Sequence, residues 1–203
     1  MAKKFPGEDS AALQRLISDM PVAHVAFVEN SQPVVLPIAI AYDRGSILLH
    51  GSTGSRWLRL IAGGTAVSLA VTALDGLVVA RSAFESSMHY RSAVLFGNCA
   101  EVEPSEQEQA VDLLTDALIP NRVGEVRRPH SKELAATLVL RMTVAEWTYK
   151  LSDGWPDDPP EDVQSGTWAG VLPRIARYER ADPAPDLPLD AELPASVRAL
   201  LGD

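Results

Sequence analysis

VAHVAFVE (residues 22–29), PVVLPIAIAY (33–42) and SILLH (46–50) decide the fold class. Each run is apolar and rich in branched side chains, the composition of a strand that is at least half buried. The runs are separated by Glu29-Asn30-Ser31-Gln32 and Asp43-Arg44-Gly45, both turn-forming sequences, which predicts a three-strand antiparallel meander. Pro37 removes a ladder donor in the middle of the second run, so that strand is expected at an edge or a bulge, where a ligand can meet the backbone.

Outward from the meander, Leu13, Leu16, Ile17 and Met20 recur at helical spacing, with Asp9 or Ser10 available to cap the helix. Downstream, a short helix is predicted over residues 55–61 with Gly63-Gly64 as its stop. Residues 65–72, 77–83 and 92–103 read as strands, and Asp75-Gly76 as a hairpin turn between the first two. Ser105 and Glu108 have capping-box spacing, ahead of a helix with Ala110, Leu113, Leu114, Ala117 and Leu118 on one face, which should pack on the sheet. Residues 137–151 read as one long strand. Many strands joined by short turns argue for an antiparallel barrel with peripheral helices, because parallel strands need helical crossovers. The expected division is a barrel domain over residues 1–178 and a proline-rich acidic arm over 179–203 ending in a short helix, with the apolar segment Trp168–Pro173 docking back onto the body.

Composition removes several classes of function. The 203 residues carry 18 Lys plus Arg against 27 Asp plus Glu, a formal charge of −9, and no basic run, so nucleic acid is not an expected partner. One cysteine, Cys99, excludes an internal disulfide and a cysteine-cluster metal site, and is expected to be a core filler. The N-terminus lacks an apolar signal core and no stretch is long enough to span a bilayer, so the expected location is cytoplasmic, with no membrane partner. His24, His50, His89 and His130 are widely spaced, no His-Glu-x-x-His occurs and no metal site is expected. Neither a dinucleotide fingerprint, an NTPase phosphate loop nor a Gly-x-Ser-x-Gly elbow is present.

Two segments are more polar than the strands around them. HGSTGSR (50–56) runs from a strand end into a helix start and gathers hydroxyls, free amides and a guanidinium, groups that can hold a phosphate. RSAFESSMHYRS (81–92) offers two arginines, four serines, a histidine and a tyrosine between strands. Each is also what an ordinary capped turn or solvated loop would contain. Together, Arg56, Arg81 and Arg91 suggest local positive potential on an acidic protein, suited to a small anionic ligand.

These segments, with Leu74-Asp75-Gly76-Leu77-Val78, Phe96-Gly97, Lys132-Glu133-Leu134-Ala135-Ala136-Thr137 and Trp168-Ala169-Gly170-Val171-Leu172-Pro173, resemble the flavin-nucleotide-binding branch of the pyridoxamine 5′-phosphate oxidase-like superfamily, which includes nitroimidazole-resistance-type proteins. The resemblance covers residues from about 10 to 175. It implies a six-stranded antiparallel split β-barrel, mainly β with peripheral helices. It further implies FMN as cofactor and a homodimer with FMN at the subunit interface. Residue by residue, it places Arg56 and Ser55 with the neighbouring amides at the FMN phosphate, Ser87, Arg91 and Ser92 at further phosphate or ribityl contacts, and Gly51, Ser52, Met88, His89 and Tyr90 among the cofactor-binding residues. Pro37 and Ile38 would lie at the flavin edge, His50 beside the cofactor as the candidate catalytic group, and Trp168 of the partner subunit over the isoalloxazine. His89 stands where the branch usually has asparagine, and the substrate-binding arginine motif of true pyridoxamine phosphate oxidases is absent; Arg174 is not assigned that role, and vitamin B6 oxidation is not expected. The expected function is an FMN-dependent oxidoreductase acting on an unidentified small molecule. The alternatives are a non-catalytic flavin carrier or sensor, and a haem- or deazaflavin-binding barrel in which His50 or His89 would ligate haem.

Overall fold

The computed structural model describes residues 3–6, 10–144, 146–188 and 190–202. The meander is present as β2 (Val22–Glu29), β3 (Gln32–Asp43) and β4 (Ser46–Ser52), preceded by β1 (Lys3–Pro6) and α1 (Ser10–Asp19). Its two connections are tight turns. Asn30 and Ser31 take φ of 50° and 63°, and Arg44 and Gly45 take 45° and 84°, the left-handed pairs that match the twist of a hairpin. After α2 (Arg56–Ala62) come β5 (Ala66–Val79), β6 (Ser87–Glu101), α3 (Gln107–Leu118), a short 3-10 turn (Arg122–Glu125) and α4 (Ser131–Ala135). The chain continues through β7 (Thr137–Thr143), β8 (Glu146–Ser152), α5 (Pro160–Val163), β9 (Gly170–Pro173) and α6 (Ala195–Leu201).

Strands β6, β7, β4, β3, β2 and β5 follow one another in antiparallel pairing, and β5 pairs with β6 to close a six-stranded ring. Strand β8, flanked by β1, extends the sheet from β6, and β9 extends it from β5. Inside the ring lie Val25, Phe27, Ile40, Ile47, Leu49, Leu69, Val71, Leu95, Leu140 and Met142, with Leu13, Leu16 and Ile17 of α1 plugging one end. Trp57 of α2 stacks on Phe27, ring centroids 6.1 Å apart. A smaller cluster, Ala41, Leu48, Ala110, Leu114 and Val139, packs α3 on the outside of the ring. Cys99 is buried, and burial pushes its thiol up to about 11, as a core filler requires. No helix among the described residues is long and apolar enough to cross a membrane.

Three expectations change. Asp75-Gly76 is not a hairpin turn: β5 runs through it, with Leu74 opposite Tyr90 and Gly76 opposite His89, so Asp75 is the extra residue of a β-bulge. The reversal falls at residues 80–86 instead, and β6 starts at Ser87, earlier than expected. Residues 137–151 are two strands: Cys99 faces Met142 while Phe96 faces Glu146, one residue more on the second strand than on β6, which breaks the ladder where β7 gives way to β8. The Ser105–Glu108 capping box does not form. Helix α3 begins at Gln107 with no side-chain cap, and the Glu108 carboxylate pairs with Arg128 at 2.7 Å.

The C-terminal segment docks as the return to apolar sequence suggested. Strand β9 pairs with residues 76–79 of β5, and the arm ends in α6, where Glu125 accepts hydrogen bonds from the Ser196 amide (2.9 Å) and hydroxyl (2.5 Å). At the bulge a Cβ on Gly76 would stand 2.8 Å from the Leu172 carbonyl oxygen. Gly76→Ala is therefore expected to push β9 off β5 and cost about 1–3 kcal/mol in denaturant unfolding, the usual scale of overpacking; an unchanged midpoint would show that β9 yields freely.

Candidate functional site

The ring opens where β3 and β4 part. They pair from Asp43/Ser46 to Ile40/Leu49; beyond that, β3 follows β2 back to Gln32 while β4 follows β7 to Ser52. Among the described residues, the β4-facing edge of β3 is unpaired from Gln32 to Ala39, which is where Pro37 and Ile38 lie. A proline is tolerated on such an edge because its missing N–H breaks no ladder. Segment 50–56 leaves β4 at this fork, and the Arg56 guanidinium reaches Glu29 at the β2–β3 turn, 2.8 Å away. The structure thus brings Pro37, Ile38, His50, Gly51, Ser52, Ser55 and Arg56 to one opening.

Locally this opening is set by small residues and amides. The Ser55 amide donates to the Ser52 carbonyl (2.9 Å), the Gly54 amide to the Ser52 hydroxyl (3.1 Å) and the Thr53 amide to the Ala136 carbonyl (2.9 Å). A Cβ on Gly51 would lie 2.5 Å from Leu58 Cδ1 in the core, so a larger residue there requires Leu58 to shift. His50, half-buried, has a Nδ1 that is buried with no hydrogen-bond partner, and desolvation lowers its pKa. The imidazole is held neutral, the form that ligates metals or accepts a hydrogen bond.

The second segment is divided by the alternation of β6. Ala93 and Leu95 point into the ring, so Arg91 lies on the inner side at its end, while Met88, Tyr90 and Ser92 face outward. Arg91 donates to both Asp75 oxygens (2.8 and 2.9 Å) and to Asp19 (2.6 Å). These carboxylates raise its pKa and hold its charge within the chain, away from the phosphate role the resemblance assigns it. Arg81 is likewise committed: its amide and a guanidinium nitrogen each donate at 2.8 Å to Asp158, whose side chain is 1% exposed. This clamp holds residues 153–160 on the β5–β6 hairpin, where His89 Nε2 also meets the Gly154 carbonyl (2.9 Å). Ser87 is exposed at the start of β6. Trp168 is 63% exposed and lies against Gly170, its ring 3.0 Å from where a Cβ on that glycine would stand.

Between the two segments stretches the outer face of β3, β2, β5 and β6. By register, Pro37, His24, Ala70 and Val94 form one row across it, and Val35, Ala26, Ser68 and Phe96 the next. Val35 is 58% and Phe96 41% exposed, on a face of otherwise small side chains that carries a cavity of about 490 Å³. Beyond the bulge, Leu172, Leu77 and Met88 make a third exposed apolar row. The sequence reading missed Lys150, which stands opposite Ser92 on the outward face of β8 with its Nζ 5.3 Å from the Tyr90 ring centroid. The alternation of Glu146, Thr148 and Lys150 was the available signal.

Against known proteins, residues 9–151 match the family model described as pyridoxamine 5′-phosphate oxidase. The chain belongs to this family. Among solved structures it is similar to the FAD and haem binding protein of Mycobacterium smegmatis, with 44% identity, a TM-score of 0.94 and coverage of 98% of this chain and 97% of that one. It is also similar to flavocytochrome Anf3 of Azotobacter vinelandii, with 28% identity, a TM-score of 0.87 and coverage of 98% and 91%. The fold is shared with a 5-nitroimidazole antibiotic resistance protein of Bacteroides thetaiotaomicron, at 18% identity, a TM-score of 0.61 and coverage of 74% and 88%. No curated protein matches the chain. Membership of the flavin-binding split-barrel family and the flavin-binding neighbours support a flavin cofactor.

Because folding lowers the His50 pKa below its ordinary 6.5, the unfolded chain takes up a proton first as pH falls. The stabilisation is complete above about 6.5 and is lost as pH drops through the folded value. Denaturant midpoints between pH 7.5 and 5.5 should therefore fall more for the wild type than for His50→Asn; parallel decline would show that His50 is not the group responsible.

Proposed function

We propose that this protein is a redox protein that binds both a flavin and haem, with FAD as the flavin and His50 as the residue that would hold the haem iron. The reading is carried by His50, a neutral imidazole with a buried, partnerless Nδ1 at the opening of the barrel. It is supported by the 44% identical structure named for FAD and haem and by the flavocytochrome that covers the same 98% of the chain. FMN, expected from the sequence resemblance, would use the same opening; FAD is preferred because that neighbour's name carries it.

The residues suit these groups. The edge of β3 at Pro37 and Ile38 offers backbone to a flavin ring, and the 50–56 segment offers hydroxyls and the Arg56 guanidinium. His89 is the weaker candidate for iron, because its Nε2 is already engaged by the Gly154 carbonyl. When bound, a flavin exchanges one or two electrons and haem one, while the chain supplies orientation and electrostatics. The carrier or sensor reading uses the same site.

Spectra of the purified protein reconstituted with flavin and haemin test the reading. Flavin bands together with a Soret band are expected, and chromatography of the released flavin separates FAD from FMN. His50→Ala should abolish the Soret band and leave the flavin bands. A Soret band that persists in that variant would remove His50 from the iron, and a protein that takes up neither group would overturn the proposal.

The same reading makes the protein a homodimer. Segment 50–56 follows β4 and the β5–β6 hairpin follows β5, two strands that do not pair with one another. A second copy seated on the apolar outer face would let one flavin touch both segments, one from each chain. The double substitution Val35→Glu, Phe96→Glu is expected to give a monomer by light scattering with weakened flavin binding; a wild-type protein that is monomeric at high micromolar concentration would rule the shared site out.

A further inference from the structure

Four stretches of strand, residues 22–28, 33–39, 66–72 and 92–98, contain no Asp, Glu, Lys or Arg, in a chain that is 22% charged. They are neighbours in the sheet, in the order β3, β2, β5, β6, so together they present one uncharged outer face. Their only titratable side chain is His24. It is exposed on that face, between Pro37 of β3 and Ala70 of β5. The positions around it are Val22 and Ala26 on its own strand, Val35 and Ala39 on β3, and Ser68 and Thr72 on β5, none of which carries a charge. The charged residues Glu146 and Lys150 belong to β8, on the far side of β6, and Glu29 at the β2–β3 turn is paired with Arg56.

Charge decides what can cover this face. A chain of net −9 repels its own copies wherever its carboxylates lie, and an uncharged patch is where two copies can approach without that cost. A closed pair is built about a two-fold axis, so each copy brings the same patch and with it one His24. Once water is excluded between the copies, a neutral imidazole is tolerated, whereas an imidazolium with no carboxylate at its side is costly. Imidazole is also the side chain that changes charge between pH 5 and 8.

We infer that His24 makes the association of two copies of this chain dependent on pH: neutral, it is covered between them, and protonated, it drives them apart. This regulation rests on the homodimer reading above and deepens it. Each dimer that separates takes up two protons, one per copy, so below about pH 6.5, where imidazole ordinarily gains its proton, the dissociation constant follows the square of the proton concentration. Between pH 7.5 and 5.5 that is a weakening of about a hundredfold.

Sedimentation equilibrium of the full-length protein at pH 7.5 and 5.5 tests this, with circular dichroism recording that the chain stays folded. The wild type is expected to dimerise at pH 7.5 and to do so about a hundredfold more weakly at pH 5.5. His24→Gln should dimerise equally at both values. His24→Lys should be monomeric at pH 7.5, where loss of folding in acid plays no part. If His24→Gln is unstable, His24→Thr, whose branched side chain suits a strand, makes the same comparison. A wild-type dimer equally tight at both pH values, a His24→Gln dimer that weakens in acid like the wild type, or a dimeric His24→Lys would overturn the role of His24 and leave the homodimer standing. A dimer tighter at pH 5.5 would overturn it too, by showing that a carboxylate of the partner meets the imidazole. A wild type that is monomeric at high micromolar concentration and pH 7.5 would overturn the homodimer reading, and the regulation with it; binding of that monomer to phosphatidylcholine vesicles would then assign the face to a lipid surface.

Discussion

One surplus residue in β5 governs how strand β9 attaches. Up to Ala73 the odd residues of β5 face the core; past Asp75 the even ones do, with Gly76 and Val78 buried and Leu77 exposed. The bulge does three things at once. It aims the Asp75 carboxylate at Arg91, it presents the bare Gly76 backbone to Leu172, and it leaves the Asp75 carbonyl to accept the Arg174 amide at 2.8 Å. Because Arg91 also holds Asp19, the end of α1, the β5–β6 hairpin and the incoming β9 meet at one point. Bulges of this kind redirect side chains at the margin of a sheet, and here the redirected edge carries the exposed row Leu172, Leu77 and Met88.

What could be read from the sequence was what local pattern determines. The meander, α1, α2 and the apolar face of α3 follow from periodicity and turn residues within about twelve positions of one another. Asp75-Gly76 was misread because the same dipeptide serves a hairpin turn and a bulge, and only the partner strand tells which. The break between β7 and β8 has the same origin: a strand that changes from one neighbour to another looks continuous until its register against β6 is known. At the site, His50 to Arg56 stood out as a contiguous segment. Lys150 did not, because its neighbours Ser92 and Thr72 are 58 and 78 positions away and are joined to it only by pairing.

Charge followed the same rule. The negative surplus of the chain means that arginines find carboxylates easily, and Arg56, Arg81 and Arg91, each drawn from a polar segment, all do so, with Glu29, Asp158 and Asp19 plus Asp75. They are not equivalent. Arg81 meets a carboxylate that is 1% exposed, and its loss would leave that charge buried, a strongly destabilising situation. Arg56 is 75% exposed, so its pair with Glu29 is screened and weak, and a phosphate arriving at the opening could exchange for Glu29 at little cost. Composition shows that positive charge is present in a segment; burial of the partner shows whether it is free to act.

In the proposed reading, the opening at β3 and β4 is what would let one small barrel serve two cofactors. Closing the ring through β5 and β6 supplies a rigid core, so β3 and β4 are free to separate past Ile40 and Leu49 without exposing it, Trp57 and Phe27 sealing the gap from within. The strand edge and the neutral imidazole of His50 lie at the same fork. In the proposed reading, a ring system resting on Pro37 and Ile38 and a metal held at His50 would be neighbours by construction. The protein's part in that reading would be to keep the fork dry and His50 uncharged. Burial of Nδ1 does the second already, before any cofactor binds.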